Sequence, residues 1–444
     1  MAAIGVTGNR RTKAYVILRE LAFAPGERFP AAELPERLAR SRTQLGNSAL
    51  FGEYAIRDSV SPEGCLYLDL DLTERWYFFP VPVFELADRN VNVWIDQFGA
   101  DINRINFGLN PTFYNLTGHK DDLEGYLQWG FTPKIELDYT RPYVGRHPNH
   151  GIGFLASYSL NRQVAYRNVD NLEAFAVFDD FALRRFRAEA RYTHRRGLYA
   201  FHTAELRFNR HRISDTVAAL NPAFFGAGRT RQDFFSLRYT FLHDRVDFRA
   251  YPLRGHYTEL AARKIGLGLF GDLDQWVLMA RHNQYVPLPA GFNLGIQLIG
   301  KTALAREHPY YTIEGLGYCE EMVRGYQLLA VDGQHYALAK TNLKHKVLDF
   351  SIGNPLPGDN SYGRIPFAFW LKGFADAGYV RDAVFAEGND LTNTWMLGYG
   401  VGLDVVTFYD WVFRFEYAFN RLGQSGLFLA WALDLDTYEN CPVW

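Results

Sequence analysis

Residues 395–405 read Trp-Met-Leu-Gly-Tyr-Gly-Val-Gly-Leu-Asp-Val, and the fold turns on this stretch. Trp395, Leu397, Tyr399, Val401, Leu403 and Val405 are all large and apolar, while Gly398, Gly400, Gly402 and Asp404 fall between them. The pattern returns in Trp411, Phe413, Phe415, Tyr417 and Phe419, and again in Leu427, Leu429, Trp431, Leu433 and Leu435. In a chain that is 48% hydrophobic, so unbroken a run has a chance on the order of one in a hundred thousand, before allowing for the choice of segments. Period two is the strand period, with successive side chains on opposite faces. Aromatic rows on one face and Arg414, Glu416, Asn420, Asp434 and Asp436 on the other describe a lipid-facing wall around a polar lumen better than a sandwich core.

Working outward, the composition fits that wall. Aromatics at 16% suit interface girdles, and 22% charged residues are compatible with a membrane protein when the charges line a wet interior. No stretch approaches the roughly 18 continuous apolar residues of a spanning helix, which excludes a helical membrane protein. A net charge of −2 and the lack of basic runs give no footing for nucleic acid. Cys65, Cys319 and Cys441 are too few and scattered for a metal site or disulfide scaffold. Unpaired thiols are expected, with a Cys65–Cys441 bridge left open. Met1 opens the chain without a signal peptide, so a precursor carrying one is expected.

Residues 1–76 read differently. Ile4 to Gly8 is a short strand, and Thr12 can cap a helix striped by Tyr15, Leu18 and Leu21. Pro25-Gly26 breaks that helix. A second helix carries Leu34, Leu38 and Leu45 on one face, with Glu33 four residues before Arg37. Strands near Phe51 to Asp58 and Cys65 to Thr73 complete a β-α-α-β-β module. Residues 77–103, which take in most of an aromatic, proline-bearing run from Glu74 to Asn92, are expected to be a connector packed at the periplasmic rim. From Arg104 to 444 the alternation marks about sixteen strands, an even number as bacterial barrels require. One of these is a broken segment at 163–178. The link from about 303 to 334 is long enough to be functional, and its Tyr310, Tyr311, Leu316, Tyr318, Leu328 and Leu329 argue for packing against something.

Ile4-Gly5-Val6-Thr7-Gly8-Asn9, then Thr12, Arg19-Glu20, Gly26 and Phe51, resemble a POTRA domain. Such domains are the periplasmic polypeptide-binding modules of the BamA/TamA outer-membrane assembly superfamily. Val323-Arg324-Gly325-Tyr326 and Phe374, Asp376 and Gly378 are similar to two motifs of that superfamily. The resemblance implies a loop folded into the lumen, whose arginine meets the aspartate of a strand. Parity agrees, because Lys372, Phe374 and Asp376 share the face opposite Phe367, Phe369 and Leu371. A guanidinium and a carboxylate can pair bidentately, Gly325 permits a turn other residues resist, and Tyr326 can wedge between lumen side chains. The plainer alternative makes Arg324 a solvated arginine and Asp376 one lumen charge among several.

The second expected site is a lateral seam. It would join a first strand of Ile105, Phe107, Gly108, Leu109 and Pro111 to a last strand of Leu427, Leu429, Trp431, Leu433 and Leu435. Pro111 lacks a ladder donor, so either a weak edge there could admit a client strand or the proline merely ends the strand at its loop. No Gly-x-Ser-x-Gly elbow is present, and His194, His202, His211 and His243 show no ligand spacing, so they read as rim or strand-face residues. Asp404, Arg414 and Glu416 read as a structural charge cluster. The expectation is a mostly β protein that is not an enzyme: a transmembrane antiparallel barrel behind one small α+β domain. It would insert or translocate polypeptides at a Gram-negative outer membrane. Its partners would be lipids, an extended client and accessory proteins, with no cofactor and no nucleic acid. A translocator passing a dedicated client through the lumen, and a passive pore plugged by the 303–334 loop, stay open.

Overall fold

The computed structural model describes residues 1, 3–87, 94–95, 98–144, 149–270, 273–318, 321–353, 364–407 and 411–431. The N-terminal domain is built from β1 (Ala3–Thr7), α1 (Ala14–Arg19), α2 (Leu34–Asn47), β2 (Phe51–Val60) and β3 (Leu66–Glu74). Its sheet runs β1-β3-β2, with β1 parallel to β3 and β2 antiparallel to it. Alternation decides which face is buried: Leu66, Leu68, Leu70 and Leu72 pack against Val16, Ile17, Leu38 and Leu45 of the helices. Each such side chain is worth about 1.5–3 kcal/mol of burial. The Glu33–Arg37 pair forms, with Arg37 Nε donating to Glu33 Oε2 at 3.0 Å. Gly26 takes a positive φ of 78° in the turn that ends α1's connection. Thr12 does not cap α1. The N-cap is Lys13, without a side-chain bond, and the buried Thr12 hydroxyl is held 3.0 Å from the Tyr77 hydroxyl instead.

The second body is a sheet of sixteen strands. It begins with β4 (Phe78–Leu86), β5 (Ile105–Phe113), β6 (Asp122–Gly130), β7 (Lys134–Arg141) and β8 (His150–Asn161). A small hairpin of β9 (Gln163–Val169) and β10 (Leu172–Val177) follows, outside the large sheet. The sheet resumes with β11 (Leu183–Arg196) and β12 (Ala200–Ile213), then passes through α3 (Asp215–Leu220) to β13 (Arg231–Val246), β14 (Gly255–Ile265), β15 (Gln275–Pro287) and β16 (Phe292–Ala305). The long loop then carries its own short pair, β17 (Glu314–Leu316) and β18 (Val331–Asp332). β19 (His335–Gly353), β20 (Arg364–Arg381), β21 (Trp395–Thr407), β22 (Val412–Asn420) and β23 (Ser425–Trp431) complete the sheet. Every ladder in the large sheet is antiparallel.

Parity along these strands is as the sequence dictates. Trp395, Tyr399, Val401, Phe415, Tyr417, Leu427 and Leu429 are exposed on the outer wall, while Asp404, Arg414, Glu416 and Asn420 are buried inside. Leu433 and Leu435 lie outside the described residues, as does Cys441 of the suggested bridge.

Two expectations about the strands are corrected. Phe78–Leu86 is no connector: it is the first strand of the large sheet, laddered to β5 from Leu86↔Ile105 to Phe78↔Phe113. The domain boundary at 104 moves accordingly. Pro80 and Pro82 hid this strand, since proline in an alternating run argues against a central strand but is tolerated at an edge. The segment at 163–178 is not in the wall, because β9 and β10 pair only with each other. The expected sixteen therefore contained one strand too many and one too few.

Candidate functional site: a locked plug, a blunted edge and a docked domain

The loop between β16 and β19 turns back into the barrel, and its apolar residues make it stay there. Leu316, Val323, Tyr326 and Val331 form one buried cluster with Ile299, Tyr336, Leu338, Val380 and Met396 of the wall and Leu391 of the loop between β20 and β21. At its tip Tyr326 N donates to Val323 O at 3.1 Å, and Gly325 takes a φ of 94°. That turn presents Arg324, 6% exposed, to β20. Nε donates to Asp376 Oδ2 at 2.7 Å and Nη2 to Asp376 Oδ1 at 2.6 Å. This is the parallel two-bond geometry that makes Arg–carboxylate pairs strong and directional. The Arg324 amide also donates to Asp376, at 3.1 Å.

Further wall residues complete the lock. Arg324 Nη1 donates to Asn342 Oδ1 at 2.8 Å and to Glu416 Oε1 at 3.1 Å, and the guanidinium lies 3.9 Å from the centre of the Phe374 ring. Lys372 Nζ bridges Asp404 and Glu416 at 2.6 and 2.8 Å, and Tyr251 hydroxyl donates to Asp404 at 2.9 Å. Glu416 and Asp404 thus support the lock, a use the sequence reading did not assign to them. A second tether joins Arg281 of β15 to Glu321, two residues before Val323, at 2.6 Å.

Small residues in the wall make room. A Cβ at Gly398 would overlap the Arg324 carbonyl, and one at Gly378 would press on Val323 and Leu316. Asn420 Nδ2 donates to Gly325 O at 2.7 Å, and Arg421 N donates to the Tyr326 hydroxyl at 3.3 Å. Gly398 and Asn420 were missed as site residues, although the inward parity of the glycine run at 398–402 was a signal for close approach.

At the end away from the N-terminal domain, loops cover the mouth. Tyr310 and Ile313 of the plug join Val217, Phe224 and Phe225 in one buried cluster. The β9–β10 hairpin ties in through Asn168 and Asn171. Asn168 Nδ2 donates to Ala330 O at 3.1 Å, and Ala330 N donates to Asn171 O at 2.9 Å. Asp332 hydrogen-bonds the Tyr318 hydroxyl. Burial, with the charges of Asp382 and Glu173, pushes its carboxyl up to about 7, against the Tyr318 and Tyr310 bonds that pull it down.

The seam is not where the sequence suggested. Ile105, Phe107, Gly108, Leu109 and Pro111 lie on β5, between β4 and β6. The edge strands are β4 and β23, and among the described residues no ladder joins them. Leu427 and Leu429 do stand on that edge strand, exposed to the lipid side. Opposed residues in an antiparallel ladder alternate between pairs that exchange two hydrogen bonds and pairs that exchange none. Pro80 stands opposite Pro111 and Pro82 opposite Leu109. Two prolines cannot exchange bonds, so both pairs belong to the unbonded kind, and the nitrogens of Pro80 and Pro82 point away from β5 to the free edge. The β5–β6 ladder agrees, for it is interrupted between Leu109↔Leu127 and Thr112↔Glu124, where Pro111 faces β6. The margin of the first strand therefore lacks two donors that an added strand would need.

The N-terminal domain is bolted to the turns of strands β5 to β14. Arg195 at the end of β11 meets Glu20 through two bonds of 2.8 Å, with the Tyr143 hydroxyl on the same carboxylate and Lys120 Nζ at 3.6 Å. Burial alone would raise the Glu20 carboxyl, but Lys120 and Arg195 hold it far below the ordinary glutamate range. Arg19 Nη2 donates to Gly197 O at 2.7 Å, Asn115 Nδ2 to Thr12 Oγ1 at 2.9 Å, and Lys13 N to Gly118 O at 2.9 Å. Thr12, Arg19 and Glu20 are thus docking residues. Gly8, with φ 83°, stands where a Cβ would overlap the Leu72 carbonyl, and Asn9 Nδ2 donates to Thr12 O at 2.9 Å. These two shape the turn that delivers Thr12.

The Omp85 superfamily domain model matches residues 115–422. The chain belongs to the Omp85 superfamily. It is therefore an outer-membrane barrel of a Gram-negative bacterium and not an enzyme. Similar solved structures share its fold at low identity. BamA from Haemophilus ducreyi lacking POTRA domains 1–3 is 12% identical with a TM-score of 0.55, over 97% of this chain and 84% of that one. CdiB from Escherichia coli is 11% identical with a TM-score of 0.57, over 97% and 75%. CdiB from Acinetobacter baumannii is 10% identical with a TM-score of 0.53, over 98% and 73%. No curated relative matches by sequence. With the superfamily established, the N-terminal domain marks the periplasmic side and the loop-covered mouth the extracellular side.

Proposed function

We propose that this chain inserts or translocates polypeptides at the outer membrane, in keeping with its Omp85 superfamily membership, and that it works as a gated machine whose resting state is the plugged barrel. The observation that carries the reading is the Arg324–Asp376 lock. The apolar clusters set the loop's resting place, while the polar fastening of its tip is concentrated on one arginine, so that exchanging that ion pair frees the tip. The N-terminal domain acts as its POTRA module, offering β2, the longer of the two edge strands of the β1-β3-β2 sheet, to an extended client by strand addition. No nucleotide or metal takes part; client folding and lipid burial supply the driving force.

Planar-bilayer recording tests the plug. The wild-type protein should show low, flickering conductance, and Arg324→Ala should give long-lived open states. A large, steady conductance in the wild type would instead identify a passive channel. A photo-crosslinker at Ala55, exposed on β2, tests capture in cells. Adducts with an exported polypeptide support the module's role, and a client processed equally well after the N-terminal domain's edge is closed by Ala55→Pro would oppose it.

A further inference from the structure

Half of the twelve histidines in the chain fall on one band of the outer wall. His150, His194, His202, His243, His256 and His282 lie on β8, β11, β12, β13, β14 and β15, which are consecutive neighbours in the sheet. All have outward parity, and all lie toward the periplasmic turns of their strands. Neighbouring rings face one another: His150 and His194 at 5.0 Å, His194 and His202 at 6.3 Å, His243 and His256 at 5.0 Å, His256 and His282 at 6.3 Å. The Tyr192 and Tyr239 hydroxyls hold His150 and His202 Nδ1 at 2.6 and 2.7 Å. Thr258 holds His282 Nδ1 at 2.8 Å, and His243 Nδ1 meets His256 Nε2 at 2.9 Å. His194 Nδ1 is buried with no partner.

Arg196 and Arg245 follow His194 and His243 on the same face, two residues closer to the periplasm and both exposed. The carboxylates of these strands at this level, Glu189, Glu205, Asp244 and Glu259, have the opposite parity and are buried toward the lumen. Among the described residues, the charged groups at this end of the outer wall are the imidazoles, Arg196, Arg245 and Arg141 at the end of β7, with one carboxylate, Asp247, exposed in the turn after β13; the other groups that face the band are neutral hydroxyls. Barrels ordinarily place Tyr and Trp at this depth. Histidine differs because its charge changes near neutrality. Imidazolium rings 5 Å apart repel unless an anion bridges them, and the anion at this depth is the lipid phosphate.

The geometry points to this band as a site for the phosphate headgroups of anionic phospholipids in the periplasmic leaflet, engaged more firmly as the periplasm acidifies. Arg196 and Arg245 give it affinity at neutral pH, and each proton taken up by the histidines adds a donor and a charge. The site depends on the barrel wall and not on the client reading, so the two stand or fall separately.

Thermal unfolding of the full chain in a nonionic detergent tests it, at pH 5.5 and 7.5, with a short-chain phosphatidylglycerol, the matching phosphatidylcholine or inorganic phosphate added. Phosphatidylglycerol should raise Tm several-fold more at pH 5.5 than at pH 7.5, while the other two raise it little at either pH. Replacing all six histidines by glutamine should leave only the smaller, pH-independent shift, and His335→Gln, at the start of β19 by the loop-covered mouth, should change nothing. If the six-fold variant does not fold, His243→Gln with His256→Gln should reduce the pH-dependent part by a third or more. Equal shifts at both pH values, or a pH-dependent shift that survives these substitutions, overturn the proposal. An equal response to inorganic phosphate overturns the assignment to lipid.

Discussion

Arg324 reaches three strands at once, through Asn342 on β19, Asp376 on β20 and Glu416 on β22. Removing one partner of such a buried pair costs about 3–5 kcal/mol, because the other charge is left without compensation. Arg324→Ala should lower the temperature at which the barrel loses its compact gel migration, and Arg324→Lys should recover little of it, lacking the two-bond fork. A glycine pair supplies a control that involves no charge. Gly398→Ala should unseat the tip as Arg324→Ala does, while Gly373→Ala, on the same wall with open space around its Cβ, should behave as wild type. An unaffected Gly398→Ala barrel would mean the tip is not held where the lock needs it. At this scale the sequence was informative where chemistry is carried by rare side chains: Arg324 and Asp376 could be paired from motif and parity. It was uninformative for Asn342 and Asn420, because an amide signals its role only through what it touches.

Single strands and loops respond to proline, pH and register. β4 escaped recognition because two of its nine residues are prolines, yet those prolines fix its place at the sheet margin. Pro80→Ala with Pro82→Ala restores two outward N–H groups and should slow amide exchange along the seam strands. No change in exchange would place those nitrogens elsewhere. Docking of the N-terminal domain has its own signature. The Glu20 carboxyl sits lower when docked than its ordinary value of 4.5, so its contribution is complete above that value and is lost as pH falls below it. Limited proteolysis between the domain and β4 should accelerate below about pH 4.5, and Glu20→Gln should show the accelerated rate already at pH 7. Asp332 has the opposite sign. Its carboxyl is raised to about 7 from 3.8, so the extracellular cover weakens as pH climbs between those values. Open events in bilayers should become more frequent from pH 5 to pH 8, and Asp332→Asn should flatten that dependence.

For the whole molecule, the parts legible from sequence were those that repeat. Alternation over many strands declared a barrel, and helix stripes with a leucine-patterned strand declared a separate α+β domain. Docking of one on the other was not legible, since Glu20 and Arg195 lie far apart in the chain and neither stands in a repeating pattern. The same applies to the covered mouth, assembled from four loops that share no periodicity. A last consequence concerns crowding. A closed barrel has no free margin, but where the first and last strands are not laddered their margins can meet those of a neighbour in the membrane and fuse into a continuous sheet. By withholding two amide hydrogens at its opening strand, this protein denies neighbours that handhold, and so can keep a loosely fastened flank without being zipped into a larger aggregate.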